Sequence, residues 1–264
     1  MRKDAIKIEE ARLEGISDIE EYPDFHERHR IFPAVFEKRQ HKKLLDIAAG
    51  VGCAAQRIDK GYGGELVCND IDPICLKVLR KAGLTVLSFD IDDPEQAFPF
   101  TDGHFDAVVA LATIEHVLHI DNFVKEIHRI LAEDGYLYLS APNYNALTYL
   151  YRFILSGKTF HDPISKWPRE RYEFYAHVRY FTYRSLVEYV SSLGFVPDTV
   201  YLGLPQGSTR YLSMPKPKAL AFRYAMMAMY RLGSPRWASE PVICFRKTSG
   251  PWQGKLNDIR KVVL

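Results

Sequence analysis

The chain has 264 residues, 47% of them hydrophobic, and a formal net charge of +2. That is enough apolar material for one well-buried α/β domain, 1–264, with additions. There is no uncharged apolar run of about 18 residues and no signal-peptide pattern at Met1-Arg-Lys-Asp, so neither a membrane-spanning helix nor a secretory signal is expected.

In chain order, residues 1–40 predict a helical N-terminal cap, with helices near Ala5–Leu13 and Asp24–Arg39. Its cluster His26-Glu-Arg28-His29-Arg30 reads either as an anion-binding patch over a ligand or as a solvated helix face. Next, Leu44-Leu-Asp-Ile-Ala-Ala-Gly-Val-Gly52 runs an apolar strand into an acid, Asp46, and then a small-residue turn. Gly50 and Gly52 supply positive φ and remove the Cβ from the path of an approaching ligand. The N–H groups opening the next helix-like stretch, Cys53–Ile58, favour a carboxylate or phosphate. Gly50, Gly52 and Ala55 fit the dinucleotide pattern G-x-G-x-x-A. Asp46 argues the other way: it would repel a pyrophosphate and suits a ligand carrying an ammonium and a sulfonium, as S-adenosylmethionine does. A turn that merely packs a helix on a sheet is the bland alternative.

Glu65–Asp70 predicts a second strand ending in an acid, with Asp72-Pro73 opening a helix. Asp70 stands about 20 residues beyond the loop, where an acid can hold ribose hydroxyls. Val86–Ile91 is a third strand, containing Asp90, and Phe105–Leu111 a fourth. Glu115-His116, a helix from about Asp121 to Ala132, and a fifth strand, Tyr136–Ser140, closed by Pro142-Asn143, follow. Acids at successive strand ends are poorly explained by packing, because carboxylates are rarely buried without partners. With a sixth strand at about Val196–Leu202 and a last at about Pro241–Arg246, the alternation predicts an α/β fold. Its sheet is doubly wound, mostly parallel and seven-stranded, and ligands sit outside the carboxyl ends of the strands. Two lid-type inserts, 144–180 and 205–238, interrupt the pattern, the second with a helix over Ala219–Leu232.

These motifs resemble the class I S-adenosylmethionine-dependent methyltransferases, in particular the broad group that includes ubiquinone-pathway enzymes. The resemblance spans roughly Lys42 to Phe195. It rests on Asp46–Gly52, Pro99-Phe-Thr-Asp-Gly-His-Phe-Asp106, Glu115-His116, Pro142-Asn143 and His177-Val-Arg-Tyr-Phe-Thr182 with Leu193-Gly-Phe195. It implies a Rossmann-like fold with S-adenosyl-L-methionine as cofactor. It further implies Asp46, Gly50 and Gly52 at the methionine end, Asp70 on the ribose, Ile71 against the adenine, Asp90 and Ile91 on the adenine edge, and Leu111 on the pocket floor. One departure is Ala48, where the group has glycine; alanine in a non-positive φ is expected to be tolerated.

The same resemblance sets His116 where the acceptor approaches, as the leading general base, and His177 as a second base or a substrate anchor. A locally packed histidine is the plain alternative for each. Some relatives carry Glu-x-x-Glu-His and are thought to bind a divalent metal there. Here the first acid is Ala112, and Glu115 with His116 alone is a poor site for a hard cation, so no metal is expected.

The inserts bear on the acceptor. Leu147–Leu155 and Phe222–Tyr230 are rich in aromatic residues and, in the second, methionine, which suits either a large apolar ligand or lid core. From Gln206 onward eleven Lys/Arg face only Glu240 and Asp258, leaving −7 on the remainder. That asymmetry fits an anionic partner, with peripheral membrane contact among the options, or a solvated face. No RNA-binding appendage supports a nucleic-acid partner. Cys53, Cys68, Cys75 and Cys244 form no paired framework, so reduced thiols in a cytoplasmic protein are expected. The expected activity is methyl transfer to a small or medium-sized acceptor at oxygen, with a lipid-linked or glycan-type substrate in view. N- or C-methylation and a cofactor-binding subunit without activity are the alternatives.

Overall fold

The computed structural model describes residues 3–158, 161–166 and 168–264; the remaining positions of the N-terminal cap and the first insert lie outside the described residues. The strands are β1 (Lys43–Ile47), β2 (Glu65–Cys68), β3 (Thr85–Val86), β4 (Phe105–Leu111), β5 (Leu131–Ser140), β6 (Phe195–Leu202), β7 (Val242–Lys247) and β8 (Arg260–Val263). They form one sheet of order β3-β2-β1-β4-β5-β7-β6-β8. The pairs from β3 to β5 are parallel, β7 runs antiparallel to both β5 and β6, and β8 lies parallel to β6.

Around the sheet stand α1 (Lys3–Leu13), α2 (Glu27–Arg30), α3 (Ala55–Gly61), α4 (Pro73–Lys81) and α5 (Ile120–Ile130). They are followed by α6 (Leu147–Ser156), α7 (Pro168–Ala176), α8 (Tyr183–Ser191), α9 (Thr209–Leu212) and α10 (Lys216–Leu232).

Local chemistry explains the elements that position the site. Ala107, Val108, Val109 and Ala110 of β4 are all fully buried, as a central strand covered on both faces requires. Helix α5 buries Phe123, Val124, Ile127 and Ile130, the stripe of a helix lying on a sheet. Helix α4 starts where the sequence marks it: the Asp72 carboxylate accepts from the amides of Ile74 and Cys75, and Pro73 opens the first turn.

Three elements differ from expectation. The predicted helix over Asp24–Arg39 is only α2 followed by a short 3-10 turn, Ala34–Phe36, because Pro33 cannot donate to a helical ladder. Strand β3 is only two residues long, so Asp90 and Ile91 lie in the loop beyond it. An eighth strand, β8, beyond the seven expected, closes the far edge by pairing parallel with β6.

Among the described residues no helix is long and apolar enough to cross a membrane. All four cysteines are free and buried. The chain runs from β1 outward to β2 and β3, then returns to place β4 on the other side of β1. That reversal leaves a crevice beyond the carboxyl ends of β1 and β4.

Candidate active site

A cavity of about 240 Å³ opens at this crevice. Ala48, Gly50, Asp70, Ile71, Asp90, Ile91 and Leu111 all line it, as do both histidines singled out from the sequence, His116 and His177. Asp46 and Gly52, expected at the ligand, are not among the lining residues. Gly52 has φ +91, and a Cβ there would meet Leu79 Cδ2 at 2.8 Å, so this glycine serves the packing of α4 behind the turn. Asp46 is 3% exposed, and its Oδ2 has no hydrogen-bond partner among the described residues.

Ala48 corrects the expectation for its position: its φ is +51, the left-handed region that the group's glycine occupies freely. The tight exit from β1 imposes that conformation whatever the side chain, at roughly 1–2 kcal/mol for alanine.

The acids carry the electrostatics of the floor. Asp70 accepts from the amides of Gly50 (2.8 Å), Ile71 (2.8 Å) and Asp72 (2.9 Å), so it ties the β1 turn to the end of β2. Burial raises its pKa, opposed by those amides. Burial, with the Asp70 charge added, pushes the Asp46 carboxyl up to about 8. Two acids held this way disfavour their own ionisation until a cation or donor arrives. Asp90 accepts from the Asp92 amide at 2.9 Å, and Asp92 caps the chain at Leu118 and His119. Cys53 also lines the cavity, but burial pushes its thiol up to about 12, which favours the packing reading over a reactive thiolate.

The roof comes from segments far apart in sequence. Helix α1 packs on α7 and contributes Glu9 and Arg12, while α7 contributes Tyr172 and Glu173. Arg12 joins Glu9 (2.8 Å), Asp24 (2.8 Å) and Tyr22 (3.2 Å), and its guanidinium lies 5.4 Å from the Tyr172 ring centroid. Of the N-terminal basic cluster, His26, Arg28 and His29 reach the cavity. Within the chain, Glu240 pairs with Arg28 and lies 3.4 Å from His26 Nδ1, so the cluster is not a solvated helix face. Burial works against Glu240 ionising, yet Arg28 and His26 hold its carboxyl well below the usual range. Glu27 instead accepts from the amides of Gln206, Gly207 and Ser208, and Arg30 donates to the carbonyls of Leu204 and Leu264.

Beyond the floor lies a chamber built on Glu115, His116 and His177. Glu115 is 1% exposed, neither carboxylate oxygen has a hydrogen-bond partner among the described residues, and burial pushes it up to about 8. Burial lowers His116 to about 4; burial, with His116 and His161 adding, lowers His177 to about 2. Both imidazoles are therefore neutral near pH 7. The rings stand 4.7 Å apart, edge to face. One donor atom from each of Glu115, His116 and His177 falls within 4.8 Å of the others, so the structure adds a third donor to the pair weighed from sequence.

The helices expected to carry the acceptor mostly do not reach this cavity. Neither α6 nor α10 contributes a lining residue; Tyr151, Phe153, Ile154 and Leu155 of α6 and Leu220, Tyr224 and Leu232 of α10 are exposed. The first insert reaches it through α7 and His177 alone. Sequence reasoning missed Glu9, Arg12, Tyr172, Glu173 and Glu240, none of which sits in a local motif.

The comparisons with known proteins follow the same geometry. A family model described as a methyltransferase domain matches residues 18–200. Pseudomonas aeruginosa ubiquinone/menaquinone biosynthesis C-methyltransferase is 33% identical over 123 residues, 43% of this chain and 48% of that protein. Geobacter sulfurreducens malonyl-[acyl-carrier protein] O-methyltransferase is 28% identical over 137 residues, 50% of this chain and 51% of that protein. The chain thus spans about half the length of the curated relatives it matches. A solved Thermotoga maritima S-adenosylmethionine-dependent methyltransferase superposes with TM-score 0.58 at 18% identity, covering 85% of this chain and 90% of that one, which establishes the fold.

Proposed function

The chain belongs to the methyltransferase-domain family, whose cofactor is S-adenosyl-L-methionine, and from that premise we propose that it methylates a small or medium-sized, hydroxyl-bearing acceptor. The observation that carries the acceptor reading is the chamber beyond the floor: two neutral imidazoles and a buried carboxyl, Glu115, with no hydrogen-bond partner among the described residues. A chamber rich in hydrogen-bonding groups matches a polyhydroxylated, glycan-type head better than an apolar ring or tail.

The residues present fit the cofactor. Asp70 and Asp90 offer carboxylate oxygens at the cavity wall, and Asp46 holds a buried, unpartnered oxygen close enough to Asp70 for their charges to interact. In this reading Asp70 receives the ribose hydroxyls, Asp90 with Ile91 the adenine edge, and Gly50 keeps the turn free of side chain. Asp46 acts from behind the turn. The cofactor supplies a methyl carbon already activated by its sulfonium, so the protein's contribution is largely positioning and exclusion of water. Proximity and orientation are worth about 7–11 kcal/mol at their upper end. His116, neutral at physiological pH and less strongly depressed than His177, is the group better able to take the acceptor's proton, a contribution of up to about 10²–10⁴ in rate.

A lipid-linked version of the acceptor draws support from the exposed apolar faces of α6 and α10. Exposed Lys216 and Lys218 flank the second, and no acid occurs between Gln206 and Glu240. Flotation with anionic vesicles tests it: chain remaining at the bottom of the gradient removes that version. We further read catalysis as independent of metal. Calorimetric titration with the cofactor, run beside NAD, tests the main reading; tight NAD binding would overturn it.

A further inference from the structure

The chamber holds three donors that methyl transfer uses only in part. Glu115 and His116 belong to the 3-10 turn Ile114–His116 that follows β4, and His177 directly follows α7. Backbone hydrogen bonds tie the two segments together: the Glu115 carbonyl accepts from the amides of Val178 (2.9 Å) and Arg179 (3.1 Å). His116 Nε2 stands 3.9 Å from Glu115 Oε1, and one donor atom from each of the three residues lies within 4.8 Å of the others. All three residues line the cavity.

Each donor is held as a ligand would be. The Ala176 carbonyl, 3.1 Å from His116 Nδ1, can only accept, so Nδ1 carries the proton of the neutral ring and Nε2, on the Glu115 side, keeps its lone pair. A carbonyl on the far nitrogen is a usual way of orienting a metal-binding histidine. The Tyr144 hydroxyl, 3.1 Å from His177 Nδ1, engages that nitrogen and leaves Nε2 as the other ring nitrogen. Neither Glu115 carboxylate oxygen has a hydrogen-bond partner among the described residues, so the group turns toward a cation without breaking a hydrogen bond. Ligand-to-zinc distances of about 2.0–2.2 Å set tetrahedral donors roughly 3.3–3.5 Å apart, a contraction within reach of side-chain torsions.

The donor types select the ion. Magnesium and calcium want several oxygens, and the chamber offers them one carboxylate. Two imidazoles and one carboxylate are instead the set of three-ligand zinc sites that keep a fourth position open.

We infer that Glu115, His116 and His177 form a zinc site whose occupancy switches methyl transfer off. The site stands on the geometry alone; the switch rests on the proposed function. Zinc draws on the His116 Nε2 lone pair, the same pair that takes the acceptor's proton, and it fills the space the acceptor hydroxyl must enter. Metal-independent turnover and a zinc-binding chamber are thus two states of one set of side chains.

The test is calorimetric titration of the metal-stripped full chain with Zn²⁺ alone. One ion per chain is expected, with Mg²⁺ binding far more weakly. Co²⁺, the coloured substitute for zinc, is expected to give the visible bands of a four- or five-coordinate site, without the thiolate charge-transfer band that Cys53, which also lines the cavity, would add. Glu115→Gln, His116→Ala and His177→Ala are each expected to weaken zinc binding by at least about 10-fold, the scale of losing even an outer-shell partner. His104→Gln, at the opposite end of β4, is expected to leave it unchanged. Once an acceptor is found, one equivalent of zinc is expected to lower kcat about 10-fold or more, with cofactor affinity little changed, and a chelator is expected to restore the rate. No stoichiometric zinc binding by the wild type, magnesium binding as tight as zinc, or affinity indifferent to all three substitutions overturns the site. A thiolate or all-oxygen cobalt spectrum of the wild type overturns it too, and that reading stands even where a variant fails to fold. Zinc that binds through these residues and leaves turnover unchanged, or raises it, overturns the switch. Because titration and spectrum need no turnover, failure of the methyltransferase reading and failure of the zinc site are distinguished.

Discussion

Asp70→Ala separates a ligand contact from a scaffold contact, because Asp70 has both duties. Its carboxylate already accepts from three backbone amides, at Gly50, Ile71 and Asp72, and in the proposed site it also receives the ribose hydroxyls. A hydrogen bond to a charged group contributes about 1.5–3 kcal/mol, so loss of the ribose contact alone weakens cofactor binding by about 10- to 150-fold. The alanine variant also strands the Gly50 amide and loosens the β1 turn, which pushes the loss to the upper part of that range and lowers the melting temperature. Asp70→Asn keeps one carbonyl oxygen for Ile71 and Asp72 but turns a donor toward Gly50 or the ligand, so it should fall between alanine and wild type. Titration calorimetry gives the affinities, and thermal unfolding of the ligand-free variants gives the scaffold share. An affinity unchanged in Asp70→Ala would refute the placement of the ribose. A loss fully accounted for by lower stability would assign Asp70 to the scaffold alone.

Other outcomes follow from the same site. His116→Ala is expected to reduce kcat by about 10²–10⁴ while cofactor affinity stays near wild type; a near-wild-type rate would pass the whole base role to His177. Activity is expected to survive exhaustive chelation, since Ala112 removes the first acid of Glu-x-x-Glu-His; loss with EDTA restored by magnesium would make Glu115, His116 and His177 a catalytic magnesium site. The ligand-free protein is expected to be destabilised as pH rises. Asp46 and Glu115 both have folded pKa values raised to about 8, so their protonated forms favour the fold below the ordinary carboxylate range, and that advantage is lost between about 4 and 8. Melting temperature against pH checks this, and Asp46→Asn should flatten part of the slope; a slope unchanged in that variant would show Asp46 ionised in the empty site.

The floor of the site was legible because each part is local. An apolar run followed within a few residues by an acid or a glycine turn marks a strand end, and the parallel order of such runs aims those ends at one crevice. Gly50, Asp70 and Asp90 could be read this way, whereas Ala48, Ile71, Ile91 and Leu111 came only with the family resemblance; all seven line the cavity. What could not be read depends on distance. Arg28 meets Glu240 across 212 residues, and neither neighbourhood hints at the other. His161 reaches Tyr144 through an insert with no periodic signal, and α1 meets α7 only because both cover the same opening. The conformation of Ala48 was misread for a different reason: the turn sets φ, and the alanine side chain tolerates it rather than choosing it. The apolar inserts could not be resolved from sequence either: Tyr151, Phe153, Ile154 and Leu155 of α6 are exposed, whereas Met226, Met227 and Met229 of α10 pack against the core.

The most direct measurement follows the methyl group. The chain, incubated with cofactor carrying a carbon-13 methyl and a metabolite extract, should deliver the label to a product whose methyl resonance is that of an oxygen-bound carbon. His116→Ala should slow its appearance. Label found on nitrogen or carbon would contradict the acceptor atom, and cofactor bound with no label transferred to any product would contradict methyl transfer itself.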